Sequence, residues 1–178
     1  MLIAIVIIVL VIAALLGLAA TRPDQFRIER STTIQASPER VFPFINDFHH
    51  WQAWSPYERK DPAMQRSYEG PKAGEGAAYG WSGNKNIGSG RMQITESTPS
   101  SRIEINLEFL APFKANHTAE FMLEPRGDST QLTWAMYGSS SFTSKLMGLL
   151  FNMDKMVGKD FEEGLVSLRR LSEGHAQA

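Results

Sequence analysis

SPERVFPFINDFHHWQAWSP, residues 37–56, is the stretch on which the fold turns. Ser37 followed by Pro38 marks a helix start, because a serine oxygen accepts from free backbone N–H groups and proline is tolerated at the first helical position. Val41, Phe42, Ile45, Phe48 and Trp51 then recur at three- and four-residue spacing. The segment therefore predicts one or two short helices, with Pro43 in the early turns and an end near Trp54, Ser55 and Pro56. Upstream, residues 25–35 alternate, placing Phe26, Ile28, Arg30, Thr32 and Ile34 on one face of a strand. Downstream, glycine and proline punctuate six more alternating runs, at 64–69, 77–82, 90–96, 102–110, 117–125 and 130–139. Their connections at 70–74, 83–86, 98–100 and 126–128 are short and turn-like, which favours an antiparallel meander over a parallel sheet with crossover helices.

Beyond Phe142 the period becomes helical, with Leu146, Leu150, Met153, Val157, Phe161, Leu165 and Leu168 along one stripe. Gly148, Gly158 and Gly164 each weaken a helix by about 1 kcal/mol relative to alanine, so a break or kink is expected near Gly158. The order β-α-α-β6-α, seven strands in all, predicts an α+β fold built on an antiparallel sheet. Two motifs carry a resemblance to a known family. Residues 37–56 closely resemble the opening of the SRPBCC superfamily, the START-like and birch-pollen-allergen-like proteins, and GKDFEEGLVSL at 158–168 resembles the closing helix of its bacterial polyketide cyclase/dehydrase-like branch. The resemblance covers nearly all of residues 25–173 and implies the helix-grip fold, in which a curved antiparallel sheet wraps the final helix with a cavity between them. It does not choose between carriers, cyclases and hydrolases.

Residues 1–20 are apolar apart from Gly17 and carry no charged side chain. As a helix at 1.5 Å per residue such a run reaches about 30 Å, the thickness of a bilayer's hydrocarbon core. Length and the absence of a basic start favour a single-pass anchor over a cleaved signal, for which only the small residues near Ala19 and Ala20 speak. Arg22, Arg27 and Arg30 follow the run, so the positive-inside tendency places the domain in the cytoplasm. With 18 basic against 19 acidic residues, the net charge of −1 offers nothing to nucleic acid. Cysteine is absent, which excludes disulfides, a thiol nucleophile and thiolate metal sites.

No motif asks for a cofactor or a metal. His49 and His50 are adjacent, so their side chains diverge on a helix, and no third ligand stands at a metal-like spacing. Glu162 and Glu163 read as a solvated helix face, and residues 83–90 as a hairpin turn without the Gly-Lys-Ser/Thr ending of a phosphate loop. Ser139, Ser140 and Ser141 precede a helix and suit capping better than nucleophilic attack. His117 opens a strand in the register that sends Ala119, Phe121 and Leu123 inward, and reads first as a core-edge histidine.

The informative set is aromatic and methionine-rich. Tyr79, Trp81, Met92, Ile105, Leu107, Phe109, His117, Phe121, Trp134 and Met136 all fall on one alternating face, opposite Leu150, Met153 and Val157 of the final helix. Singly, each residue suits a packed core. In the fold that the resemblance implies, the same face lines the cavity, where flat rings and flexible thioethers suit a bulky apolar ligand, with Tyr68, Tyr79 and Arg66 available to its polar end. The leading expectation is a membrane-anchored domain that binds a hydrophobic small molecule such as a lipid, a quinone-like compound or a polyketide-like aromatic. The alternatives are a cyclase or dehydratase that moves protons through pocket tyrosines or His117, and an interaction module with a filled core.

Overall fold

The computed structural model describes residues 2–150 and 152–174, with only the backbone of Leu2 and Leu150. Helix α1 (Leu2–Ala20) leads through four residues into β1 (Gln25–Ile34). Then come α2 (Pro38–Asn46), a 3₁₀ helix (Phe48–Ala53), and α3 (Pro56–Lys60). Six strands follow: β2 (Gln65–Glu69), β3 (Ala78–Ser82), β4 (Ser89–Thr98), β5 (Arg102–Ala111), β6 (Ala115–Arg126) and β7 (Ser129–Ser139). Helices α4 (Phe142–Leu150) and α5 (Met153–Ser172) close the chain. The seven strands form one antiparallel sheet in the order β1-β7-β6-β5-β4-β3-β2. Strands β2 to β7 are thus a meander, and β1 closes onto its last member. This is the helix-grip arrangement.

The register sets the inner face. Ile28 lies opposite Met136, Phe121 opposite both Trp134 and Ile103, Ala119 opposite both Met136 and Ile105, and Leu107 opposite both His117 and Met92. Because side chains alternate across a strand, these positions share one side of the sheet. Near the β6–β7 turn that side is filled. Phe48, Trp51, Trp54, Ile103, Phe121, Leu132, Leu165 and Leu168 are all buried. The Trp134 ring stacks on Phe161 at 4.1 Å between centroids, and Gly164 allows the approach, since a Cβ there would lie 2.8 Å from the indole. The two buried indole N–H groups of the 37–56 segment are satisfied by backbone, Trp51 donating to the Ile45 carbonyl and Trp54 to that of Phe44, each at 2.9 Å.

Three local expectations are corrected. Pro56 does not end the helical segment but begins α3, where proline is again tolerated because the first N–H of a helix has no partner. Ser37 occupies the N-cap position of α2, yet its hydroxyl makes no capping bond; its carbonyl accepts from Arg40 and Val41. The final helix breaks between α4 and α5, where Asn152 caps α5 by accepting from the Lys155 N–H at 2.9 Å, and α5 runs unbroken through Gly158. Gly158 has a different purpose. Arg30, inward on β1, crosses α5 at this point, and a Cβ on Gly158 would run into its guanidinium. The guanidinium donates to Glu162 at 2.8 Å and to both oxygens of Asp154 at 3.1 and 3.2 Å. It holds the Asp154 carboxyl below the usual carboxylate range.

Candidate functional site

Toward the end of the sheet that adjoins α1, the inner face is not filled. A cavity of about 690 Å³ lies between the sheet, α3 and the first turns of α5. Two glycines make the room. Trp81 faces Gly90 across β3 and β4, and the indole lies over the glycine, where a Cβ would collide with the ring. His117 lies over Gly138 of β7 in the same way. Rings that lie flat along a sheet line the space above it and do not fill it. Trp81 is pinned there by its indole N–H, which donates to the Ile87 carbonyl at 3.2 Å, and by the edge of Phe109 at 5.9 Å. His117 is held by the edge of Phe26 at 4.8 Å.

Of the residues that the sequence singles out, Tyr79, Trp81, Met92, Leu107, Phe109, His117, Trp134, Met136, Met153 and Val157 border this cavity. Ile105 and Phe121 share the face but are fully buried in the packed half. Tyr68 stands off the cavity wall, stacked on His49 at 4.1 Å and accepting from Gln52. Trp134 marks the border, with Phe161 on one face and Phe121 on the other. The side chain of Leu150 lies outside the described residues.

One polar group on the wall escapes a sequence reading that stops the helix at Pro56. Glu58, on α3, is 7% exposed. One of its oxygens accepts from the Tyr79 hydroxyl at 2.7 Å and the other from Arg66 at 2.8 Å. Arg66 also donates to the Met64 carbonyl, so it is tied to Glu58 and the backbone. Burial, and then the bond to Glu58, push the Tyr79 phenol far above its usual range. On the same helix Tyr57 and Lys60 turn to α5, where Lys60 donates to Asp160. Burial, with the Asp160 charge beside it, raises the Tyr57 phenol too. The signal that points to Glu58 is an acidic residue two places after a Ser-Pro helix start, in a turn that follows two buried tryptophans.

His117 is the exception to this pairing. Its Nδ1 is buried with no hydrogen-bond partner among the described residues, and burial holds the imidazole below its usual value. The neutral ring is an apolar surface with one polar handle. At the open end the lining includes Arg22, Lys145 of α4, Met153 and Met156. Lys145 is paired with Asp24, whose carbonyl also accepts from Ser140, and Ser141 caps α4 by accepting from the Ser144 N–H at 3.1 Å. The arrangement is chemically simple: a mostly apolar chamber, a neutral histidine on its floor, and ionisable groups at its margin, of which Lys145 and Asp24 are engaged with one another.

Solved structures share this fold at low identity. A Staphylococcus aureus protein of unknown function superposes with a TM-score of 0.64 at 12% identity, covering 86% of this chain and 97% of its own. A Thermobifida fusca protein gives 0.63 at 18%, covering 85% and 95%. A Chromobacterium violaceum protein gives 0.59 at 17%, covering 85% and 99%. At these identities the likeness is one of fold. No curated protein matches the sequence. The family model described as polyketide cyclase / dehydrase and lipid transport matches residues 25–173, which is the whole helix-grip domain from β1 to the end of α5, and the chain belongs to that family.

Proposed function

We propose that this chain is a membrane-anchored binding domain for a hydrophobic small molecule, a lipid or a quinone-like or polyketide-like compound, held between the sheet and α5. The observation that carries the proposal is the cavity of about 690 Å³, walled by rings and thioethers. Pockets for small ligands span roughly 300–1,000 Å³ and combine apolar walls with few polar groups. The lipid-transport description of the family agrees with a hydrophobic cargo. Among the described residues, α1 is the one helix long and apolar enough to cross a membrane. The cytoplasmic side for the domain follows from Arg22, Arg27 and Arg30. In the folded domain Arg27 and Arg30 are paired with carboxylates, but the positive-inside bias acts on the chain as it inserts.

The cyclase alternative needs a proton donor or acceptor facing the ligand. The Tyr79 proton is committed to Glu58 and raising a phenol makes it a worse acid, which leaves His117 as the cavity group free to move a proton; with no second acid or base beside it among the described residues, the arrangement favours binding over proton transfer. The test is direct. Full-length chain purified in detergent and extracted with organic solvent is expected to yield a stoichiometric apolar compound by mass spectrometry. Leu107→Trp, which puts a bulky indole in place of an isobutyl side chain on the cavity wall, is expected to yield less of it while unfolding at a similar temperature. A wild-type chain that yields no apolar compound and binds no apolar probe at micromolar concentration would overturn the proposal.

A further inference from the structure

Exposed apolar side chains in this domain are not scattered. Outside α1, seven large hydrophobic residues are exposed among the described residues, and all but Val166 sit at one end. Leu110 and Phe113 are on the β5–β6 hairpin, Phe142 and Met147 on α4, and Met153 and Met156 on the first turns of α5. The register shows that these places coincide. Gln25 pairs with Ser139, Ala111 with Ser89, and Phe109 with Ala115, so the start of β1, the end of β7 and the β5–β6 tip share one edge of the sheet. The same edge joins α1, which packs on α4. Phe113, at the hairpin tip, is 74% exposed, and it is the grouping of such side chains at one end, rather than any one of them, that marks an interaction surface.

The tether fixes what these residues face. Only four residues separate Ala20 from Gln25. Even fully extended, the five steps from Ala20 to Gln25 span about 17 Å. A bilayer that holds α1 therefore lies within that distance of this end of the domain. Lys114 and Lys155 stand beside Phe113 and Met156 and form no ion pair among the described residues, a placement that suits anionic headgroups around an apolar patch. The cavity opens on the same end, since Arg22, Met153 and Met156 are both exposed and part of its lining.

We infer that this end is a lipid-docking face: the β5–β6 tip and α4 seat in the headgroup region of the leaflet from which α1 emerges, and the cavity takes its ligand, a lipid with a long apolar chain, directly from that leaflet. The inference rests on the anchored binding domain proposed above and adds the occupant of the face and the source of the ligand. Interfacial seating of this kind buries apolar side chains some 5–10 Å deep, with lysines reaching back to the headgroups.

The absence of cysteine makes the test clean, because one introduced thiol is the only one. Full-length Phe113→Cys, Met147→Cys and Asp128→Cys chains, each carrying an environment-sensitive fluorophore, are reconstituted into phosphatidylcholine/phosphatidylglycerol vesicles with and without spin-labelled lipid. Asp128 lies in the β6–β7 turn at the opposite end of β6, a strand of twelve residues and so about 35 Å long. Expected are blue-shifted emission at 113 and 147 that the spin-labelled lipid largely quenches, and unshifted, unquenched emission at 128. Equal, water-like emission at all three positions overturns the inference. So does a blue shift at 113 that lipid quenchers leave intact, which would mean that a second copy or another protein covers the face. Intact mass of the reconstituted chain reports whether α1 is retained, and solvent extraction reports cargo. A chain that carries an apolar compound but shows no quenching loses only the docking face, and one that is quenched but empty loses only the binding function.

Discussion

The two halves of one sheet face differ in a way that strand patterning does not anticipate. Near the β6–β7 turn, Phe121 is stacked on Trp134 at 5.1 Å and edged by both Trp51 and Trp54. Near α1, Phe109, Trp81 and His117 touch one another along the sheet and face a void. The alternation is the same in both. What differs is the cover. α2, the 3₁₀ helix and the C-terminal half of α5 press onto the first half, whereas the second has α3, α4 and the first turns of α5 around its rim. A cavity here is a place where the sheet outruns its helices, widened by Gly90 and Gly138 beneath the rings.

The sharpest way to break this contrast is to truncate one ring in each half. Phe121→Ala is expected to cost about 3–5 kcal/mol, the usual range for a fully buried aromatic, seen as a large fall in melting temperature. Phe109→Ala should cost a fraction of that, because the ring already borders empty space, and should change affinity for apolar probes instead. Equal losses would mean that the cavity closes in solution.

A smaller pair of effects separates α5 from α4. In Gly158→Ala the new methyl displaces the Arg30 guanidinium from Asp154 and Glu162, an overpacking expected to cost about 1–3 kcal/mol in chemical denaturation. Among the described residues a methyl at Gly148 meets nothing within 4 Å, so Gly148→Ala should stabilise α4 by up to about 1 kcal/mol. If an added Arg30→Gln substitution fails to relieve Gly158→Ala, the clash is not with Arg30.

The smallest effect is a pH dependence confined to the hollow half. Burial lowers the His117 pKa below its ordinary value of 6.5. The unfolded chain then binds more protons than the folded one, so stability rises with pH. The contribution is fully present above about 6.5 and is lost as the pH falls through the folded value. Melting curves between pH 7.5 and 5 should show this slope in the wild type and a shallower one in His117→Phe. An unchanged slope would place the titration elsewhere.

The sheet was legible because strand alternation is local: each strand's inner set can be read from its own residues. The boundary between packed and hollow was not. Ile105 and Leu107 are two residues apart on one face of β5, yet the first is fully buried in the core and the second is on the cavity wall. Their difference depends on where α5 begins, and that is decided by the cap at Asn152. Helix propensity alone predicts the break at Gly158. The missing side chain matters more there, as the passage for an arginine from another strand. Glu58 stayed hidden because Pro56 can end one helix or begin the next, and only tertiary contacts choose.

The four residues between Ala20 and Gln25 have one more consequence. They are not slack: the Thr21 hydroxyl donates to the Leu18 carbonyl, Arg22 N–H to that of Ala19, and Asp24 is stitched to Ser140 and Lys145. With α1 in a bilayer, a tether this short confines the domain to movement in two dimensions. Such a domain cannot ferry cargo across an aqueous gap to a second membrane. Its deliveries would be lateral, to recipients that drift past in the same plane, at rates set by surface density instead of bulk concentration.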